Sequence, residues 1–398
     1  MLLLGDSDNH RVYYIMYSDL IKFIRDWYQS NKDFIPLHEP RFKEIDRGYV
    51  LDVIDSTFVS SVGEYVDRFE QELAAYLQTD HAVVTVNGTT ALQVALRLAG
   101  VRPNDEVITQ PLTFVATANA IVHNNASPVF VDVNKETLGL CPAALEKFLD
   151  QQAEKIGNKT VNKATGQRIS AIVPMHTFGH PCRMEQILEI ADDWNIEVVE
   201  DAAEALGSMF LKTHCSTFGK LGMLSFNGNK IITCGGGGAI ITKDKDLANR
   251  AKHLTTTAKV NHPWEFVHDK IGYNYRMPNL NAALACAQLE QLDGILKDKR
   301  KLANAYKEFF KGKDWGEYFS EPQGCTSNYW LNAIITSNRT QRDNLLKQTN
   351  EAGIMTRPIW QLLPDLKIYK NCQKGEMKNS RWLADRIVNI PSSARINA

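Results

Sequence analysis

Short apolar runs alternate with helix-period segments through the middle of the chain. The runs are HAVVTV (81–86), EVITQ (106–110), PVFVDV (128–133), SAIVPMH (170–176), IEVVED (196–201), GMLSFN (222–227) and GAIIT (238–242). Between several of them stand helical patterns: ALQVALRLAG, closed by Gly100, then FVATANAIVHN, PAALEKFLD and MEQILEIADDWN. Unbroken Val/Ile-rich strands separated by helices predict an α/β unit with a largely parallel sheet covered on both faces. Ligands of such sheets sit at the carboxyl ends of the strands. Upstream, residues 1–38 are aromatic-rich and helix-like (YSDLIKFIRDWYQ) before the breaks at Pro36 and Pro40, and predict an N-terminal extension packed on the main body. From about residue 286 a long amphipathic segment, AQLEQLDGILKDKRKLANAYKEFFKG, leads into WLNAIIT and LLKQTNEAGI. The expected organisation is a helical extension (1–38), a large α/β domain (39–285) and a small α+β C-terminal domain (286–398). The polar stretch 154–170 reads as an exposed loop.

Composition narrows the function classes. The chain is 44% apolar and 23% charged with a formal net charge of −1, which gives no basic surplus for nucleic acid or an anionic membrane surface. No stretch approaches the roughly 18 uninterrupted apolar residues of a membrane span. MLLLGDSDNH is too short an apolar run for a signal peptide. Seven scattered cysteines without a CxxC pair point to reduced thiols in a cytoplasm, and against a disulfide framework or structural zinc; no metal is expected.

The candidate chemistry centres on SFNGNKIITCGGGGAI (225–240), where Lys230 precedes four glycines, Gly235 to Gly238. A P-loop needs its lysine after the glycines and a hydroxyl residue beside it, and neither holds. The run also leads into a strand, so it is no dinucleotide fingerprint. Four glycines between packed elements instead permit close backbone approach or positive φ. Asp201 ends the strand IEVVED, where a carboxylate needs a positive partner unless it is a helix cap or a surface acid. NGTTAL (87–92) places Gly88, Thr89 and Thr90 at a helix N-terminus, a phosphate site or a plain cap. Phe114 follows another strand end; alone it would read as core. Together, a phosphate cradle, an aromatic platform, an acid at a strand end and a downstream lysine are the parts that bind pyridoxal phosphate. The lysine amine forms a Schiff base with the aldehyde, the acid keeps the pyridine nitrogen protonated, and the aromatic ring stacks on the cofactor.

These residues carry a resemblance. FVSSVGEYVDRFE (58–70), NGTTAL, TFVATANAI, VVEDAAEALGS, FGKLGMLSFNGNKIITCGGGGAI and GYNYRMPNLNAAL closely resemble the DegT/DnrJ/StrS sugar aminotransferases, from about residue 36 into the 360s. The resemblance implies the type I pyridoxal-phosphate transferase fold, with a mostly parallel seven-stranded sheet flanked by helices. It implies Lys230 as the internal-aldimine lysine and Asp201 on the pyridine nitrogen. It implies Glu204 near the phenolic oxygen, where many relatives carry Gln. It implies Ser225, Gly88, Thr89 and Thr90 on the phosphate, with Phe114 stacked on the ring. Asn274 would reach the phosphate of the partner subunit's cofactor, making a homodimer with shared active sites. Lysine at position 230, where related dehydratases carry histidine, implies transamination.

The wording FIPLHEPRF…STFVSSVGEYVDRFE and WEFVHDKIGYNYRMPN resembles the branch acting on UDP-linked 4-keto-6-deoxy-N-acetylhexosamines, in bacillosamine or legionaminic acid routes. The expected reaction is ping-pong, with L-glutamate as donor, pyridoxamine phosphate as intermediate and a nucleotide sugar as acceptor. Three other readings stand beside it: an amino-acid transaminase using Arg357 as carboxylate grip, a catalytically silent cofactor-binding sensor, and a P-loop-like NTPase. His176 and His180, in MHTFGHP, are as well explained by structure as by substrate contact.

Overall fold

A computed structural model describes residues 7–29 and 33–395, with side chains from residue 17 onward. In it the seven apolar runs become strands of one sheet: β1 (His81–Thr85), β2 (Glu106–Thr109), β3 (Ser127–Phe130), β4 (Ile169–Val173), β5 (Glu197–Asp201), β6 (Leu221–Ser225) and β7 (Gly238–Thr242). Their order is β1-β7-β6-β5-β4-β2-β3. β7 runs antiparallel to β1 and β6, and the other pairings are parallel. This is the mostly parallel α/β architecture that the run pattern predicts. Helices cover both faces. Phe69, Leu73 and Leu77 of helix Glu64–Leu77 pack on Val84, Leu224 and Ile241. Leu92, Val94 and Leu96 of helix Gly88–Leu98 pack with Val83, Met223 and Ile240. Each fully buried aliphatic side chain contributes about 1.5–3 kcal/mol.

A four-stranded antiparallel sheet forms further on, ordered Gly316–Tyr318, Asn332–Thr336, Ile387–Ile390, Arg357–Pro358. The long amphipathic segment is two helices, Asn279–Glu290 and Leu292–Phe310, which meet at Gln291. Helix Ser7–Tyr28 is the expected N-terminal helix, but it packs on the C-terminal part of the chain. Tyr17, Leu20 and Ile24 are fully buried with Tyr306, Trp315 and Val388. The polar stretch 154–170 is not simply a loop. Ala153–Ile156 and Lys159–Asn162 pair as a hairpin, and Asn162 turns inward to Glu106, donating to its Oε2 at 2.6 Å. Among the described residues the cysteines form no disulfide, and no helix is long and apolar enough to cross a membrane.

Candidate active site

The carboxyl ends of β5 and β6, with the turn after β1, bring most of the predicted residues together. At the turn, Asn87 has extended backbone and caps helix Gly88–Leu98: its Oδ1 accepts from the Thr90 N–H at 2.9 Å. The Thr90 hydroxyl donates to the Asn87 carbonyl at 2.9 Å, so its proton is already used locally. The first-turn N–H groups of a helix have no intrahelical acceptor and carry the positive end of its dipole.

Two close approaches build the floor of this turn. A Cβ on Gly88 would stand 2.9 Å from Ser225 Cβ and 2.8 Å from Met223 Cε, so only glycine lets the helix start against the end of β6. A Cβ on Gly238 would stand 2.5 Å from the Asn87 carbonyl carbon and oxygen. The last glycine of the run therefore lies directly behind NGTT. Gly235, with φ +82°, turns the chain, and a Cβ on Gly236 would meet only the Val86 carbonyl, at 3.7 Å.

Asp201 ends β5 and is 5% exposed. Its Oδ2 accepts from Thr117 Oγ1 at 2.7 Å and its Oδ1 from the Ala203 N–H at 3.2 Å. The Thr117 hydroxyl has one proton, which goes to the carboxylate, so the Thr113 hydroxyl donates to Thr117 at 2.9 Å. Phe114 lies between these threonines in sequence, at the start of helix Val115–Val122. Its ring is 52% exposed, a flat apolar face open beside the carboxylate's support.

Lys230 lies in the connection between β6 and β7, with its side chain 12% exposed. Its Nζ is 3.5 Å from Glu204 Oε1 and 4.2 Å from the centroid of the Trp330 ring. The Trp330 indole N–H in turn donates to the Asn229 carbonyl at 2.6 Å, fixing the residue next to the lysine. Glu204 is buried, and its Oε2 accepts from the Phe178 N–H at 2.8 Å. Burial raises its carboxyl to about 7, while Lys230 pulls it down and Asp201 pushes it up. Lys230, Glu204 and Asp201 thus share one electrostatic neighbourhood.

Asn274 stands apart, exposed, with its Oδ1 accepting from Arg276 Nε at 2.9 Å. Arg357 is turned to Asn350 Oδ1 and the Thr356 carbonyl, both at 3.0 Å, which leaves the carboxylate-grip reading without support. His176 is built into the fold: Cys182 N–H donates to its Nδ1, so its Nε2–H donates to the buried Glu200 at 3.1 Å. His180 lies edge-on to Phe319 and Tyr329, and burial lowers its pKa to about 3. The sequence reading missed Thr117, Trp330 and the Phe178 backbone. Thr117 had a signal, a buried hydroxyl in the largely apolar helix start FVATANAIV. A lone tryptophan 100 positions from the lysine gave none.

These residues fit pyridoxal phosphate. The cradle at Gly88 is one that a single Cβ would fill, the buried Asp201 carboxylate could face a ring cation, and the Lys230 amine lies against the neighbouring Glu204.

Comparison with known proteins agrees. The DegT/DnrJ/EryC1/StrS aminotransferase family profile matches residues 40–398. GDP-perosamine synthase of Escherichia coli O157:H7 is 36% identical over 360 residues, covering 90% of this chain and 93% of that protein. The GDP-perosamine synthase of Vibrio cholerae is 34% identical over 361 residues, covering 90% and 94%. The crystal structure of a DegT/DnrJ/EryC1/StrS aminotransferase from Brucella abortus superposes with a TM-score of 0.78 at 27% identity, over 88% of this chain and 90% of that one. The chain belongs to the DegT/DnrJ/EryC1/StrS aminotransferase family of pyridoxal-phosphate-dependent sugar aminotransferases.

Proposed function

We propose that the enzyme transfers the amino group of L-glutamate to the C4 carbonyl of a nucleotide-linked 4-keto-6-deoxyhexose, giving a 4-amino sugar for surface glycans. The observation that carries this reading is the grouping of Lys230, Glu204 and Asp201 at the strand ends, next to the Gly88–Ser225 cradle. The N–H groups of Gly88 and Thr89 and the hydroxyl of Ser225 would hold the cofactor phosphate, with Thr90 shaping the turn. Phe114 would cover one face of the ring. Asp201, fixed by Thr117, would hold a proton on the pyridine nitrogen. Bound in this way, the cofactor supplies an electron sink for cleavage at the donor's α-carbon.

Lys230 Nζ takes the proton from the glutamate α-carbon and later delivers one to C4 of the sugar. Trp330 and Glu204 hold that amine in place, and burial keeps competing water away. Asn274 belongs to the reading as a contact to the partner subunit's cofactor in a homodimer. Residues 39–285 then form the cofactor-binding domain and 286–398 the smaller one.

For the acceptor, the sequence resembles the UDP-N-acetylhexosamine branch, whereas the two relatives above are named for a GDP-linked sugar. A panel of UDP-, GDP- and dTDP-linked keto sugars, scored by product mass, separates these. The enzyme should release 2-oxoglutarate from glutamate in step with amino-sugar formation, and Lys230→Ala should lose both that turnover and the visible absorbance of the lysine-bound cofactor. Retained turnover in Lys230→Ala would sink the assignment; a single half-reaction with every sugar would favour the sensor.

A further inference from the structure

Helix Gly88–Leu98 begins at the cradle, and its other end opens into a different cleft. Arg97 is nine positions on from Gly88, so the two ends stand roughly 14 Å apart at 1.5 Å per residue. The cleft has a volume of about 690 Å³, within the roughly 300–1,000 Å³ of pockets that hold small ligands. Among the described residues its walls include Arg97, Arg102, Arg250 and Lys270 and no acidic side chain.

The three arginine side chains have no acidic partner among the described residues. Arg97 Nη1 donates to the Tyr273 hydroxyl at 2.5 Å, and Arg102 Nη1 donates to the Arg97 and Val101 carbonyls at 3.3 and 3.0 Å. Those partners are neutral. Arg250 and Lys270 are exposed and form no hydrogen bond or ion pair among the described residues. Asp269, beside Lys270, pairs with His253 Nε2 at 2.5 Å and also feels the Lys270 charge, so it offsets only part of the positive charge here. Four like charges around one hollow repel each other, and a multivalent anion relieves that repulsion. Arginine forks match pairs of phosphate oxygens. Between the cations the floor is apolar, made by Leu98, Val101 and Leu254.

We infer that this cleft binds a small ligand through a diphosphate group, separately from the cofactor site. The bound ligand would also bear on the segment around Asn274. The Tyr273 ring stacks on Tyr275 at 4.7 Å, and the Tyr275 carbonyl accepts from the Val86 N–H at 2.8 Å, one residue before the Asn87 cap.

The test is calorimetric titration of the intact holoenzyme at about 0.15 M salt, with inorganic pyrophosphate in one arm and UDP in the other. The expected result is binding that Arg250→Ala/Lys270→Ala weakens tenfold or more, and Arg250→Gln alone by less, while the glutamate half-reaction is unchanged. Pyrophosphate meeting that criterion shows that the diphosphate suffices; UDP alone meeting it adds the nucleoside to what is recognised. No binding in either arm, or binding that the double variant leaves unchanged, overturns the inference.

Discussion

Glu204→Gln should change how stability depends on pH. In the unfolded chain the Glu204 carboxyl titrates near its ordinary 4.5, and in the fold burial raises it to about 7. That difference corresponds to about 3 kcal/mol. Below pH 4.5 both states carry the proton, and Glu204 costs the fold nothing through its charge. As pH rises through 7 the folded protein must either keep a proton that the unfolded chain has released or bury the charge, so stability is lost across that window. Glutamine keeps the acceptor for the Phe178 N–H and cannot ionise. Urea midpoints of the cofactor-free proteins, taken from pH 4.5 to 8, should show the variant gaining about 3 kcal/mol on the wild type as pH rises. Replacing Lys230 by Met removes the cation that pulls the carboxyl down, and should move the window to higher pH. A gap between wild type and Glu204→Gln that stays constant with pH would refute the account.

Other substitutions probe the supports of the site. Thr117→Val deletes the donor to the buried Asp201 and should cost about 1.5–3 kcal/mol by denaturant titration, while Thr117→Ser, which keeps the hydroxyl, should cost less. Gly238→Ala would drive a Cβ into the Asn87 backbone at 2.5 Å; it should cost about 1–3 kcal/mol and lose cofactor on dialysis. Gly236→Ala, whose Cβ meets only one carbonyl at 3.7 Å, should keep its cofactor.

The large sheet was readable because its strands are covered on both faces, and double burial leaves unbroken apolar runs such as SAIVPMH. The positions of Asp201 and Lys230 near the strand ends were readable for the opposite reason: each interrupts or follows such a run where a polar group needs a purpose. The hairpin at 153–162 was hidden because its inward contact is Asn162 with Glu106, which looks like surface in a sequence. Trp330 was hidden because its place beside Lys230 arises only when the segment between the first two strands of the small sheet packs back onto the large one. The N-terminal helix showed its apolar face but not its partner, since periodicity says that a face is buried and never against what.

The position of β7 bears on folding order. Lys230 belongs to a local excursion, because β6 and β7 are sequence neighbours and pair directly. The cradle is long-range: β7 must also pair with β1, and only then does Gly238 lie against Asn87, 151 positions away. Closing so large a loop is the entropically expensive step. On the proposed assignment, a chain that has formed the β6–β7 ribbon but not captured β1 would carry Lys230 with no phosphate cradle beside it. On that assignment cofactor capture requires β1 to have joined the sheet, and free pyridoxal phosphate would favour the joined state by mass action.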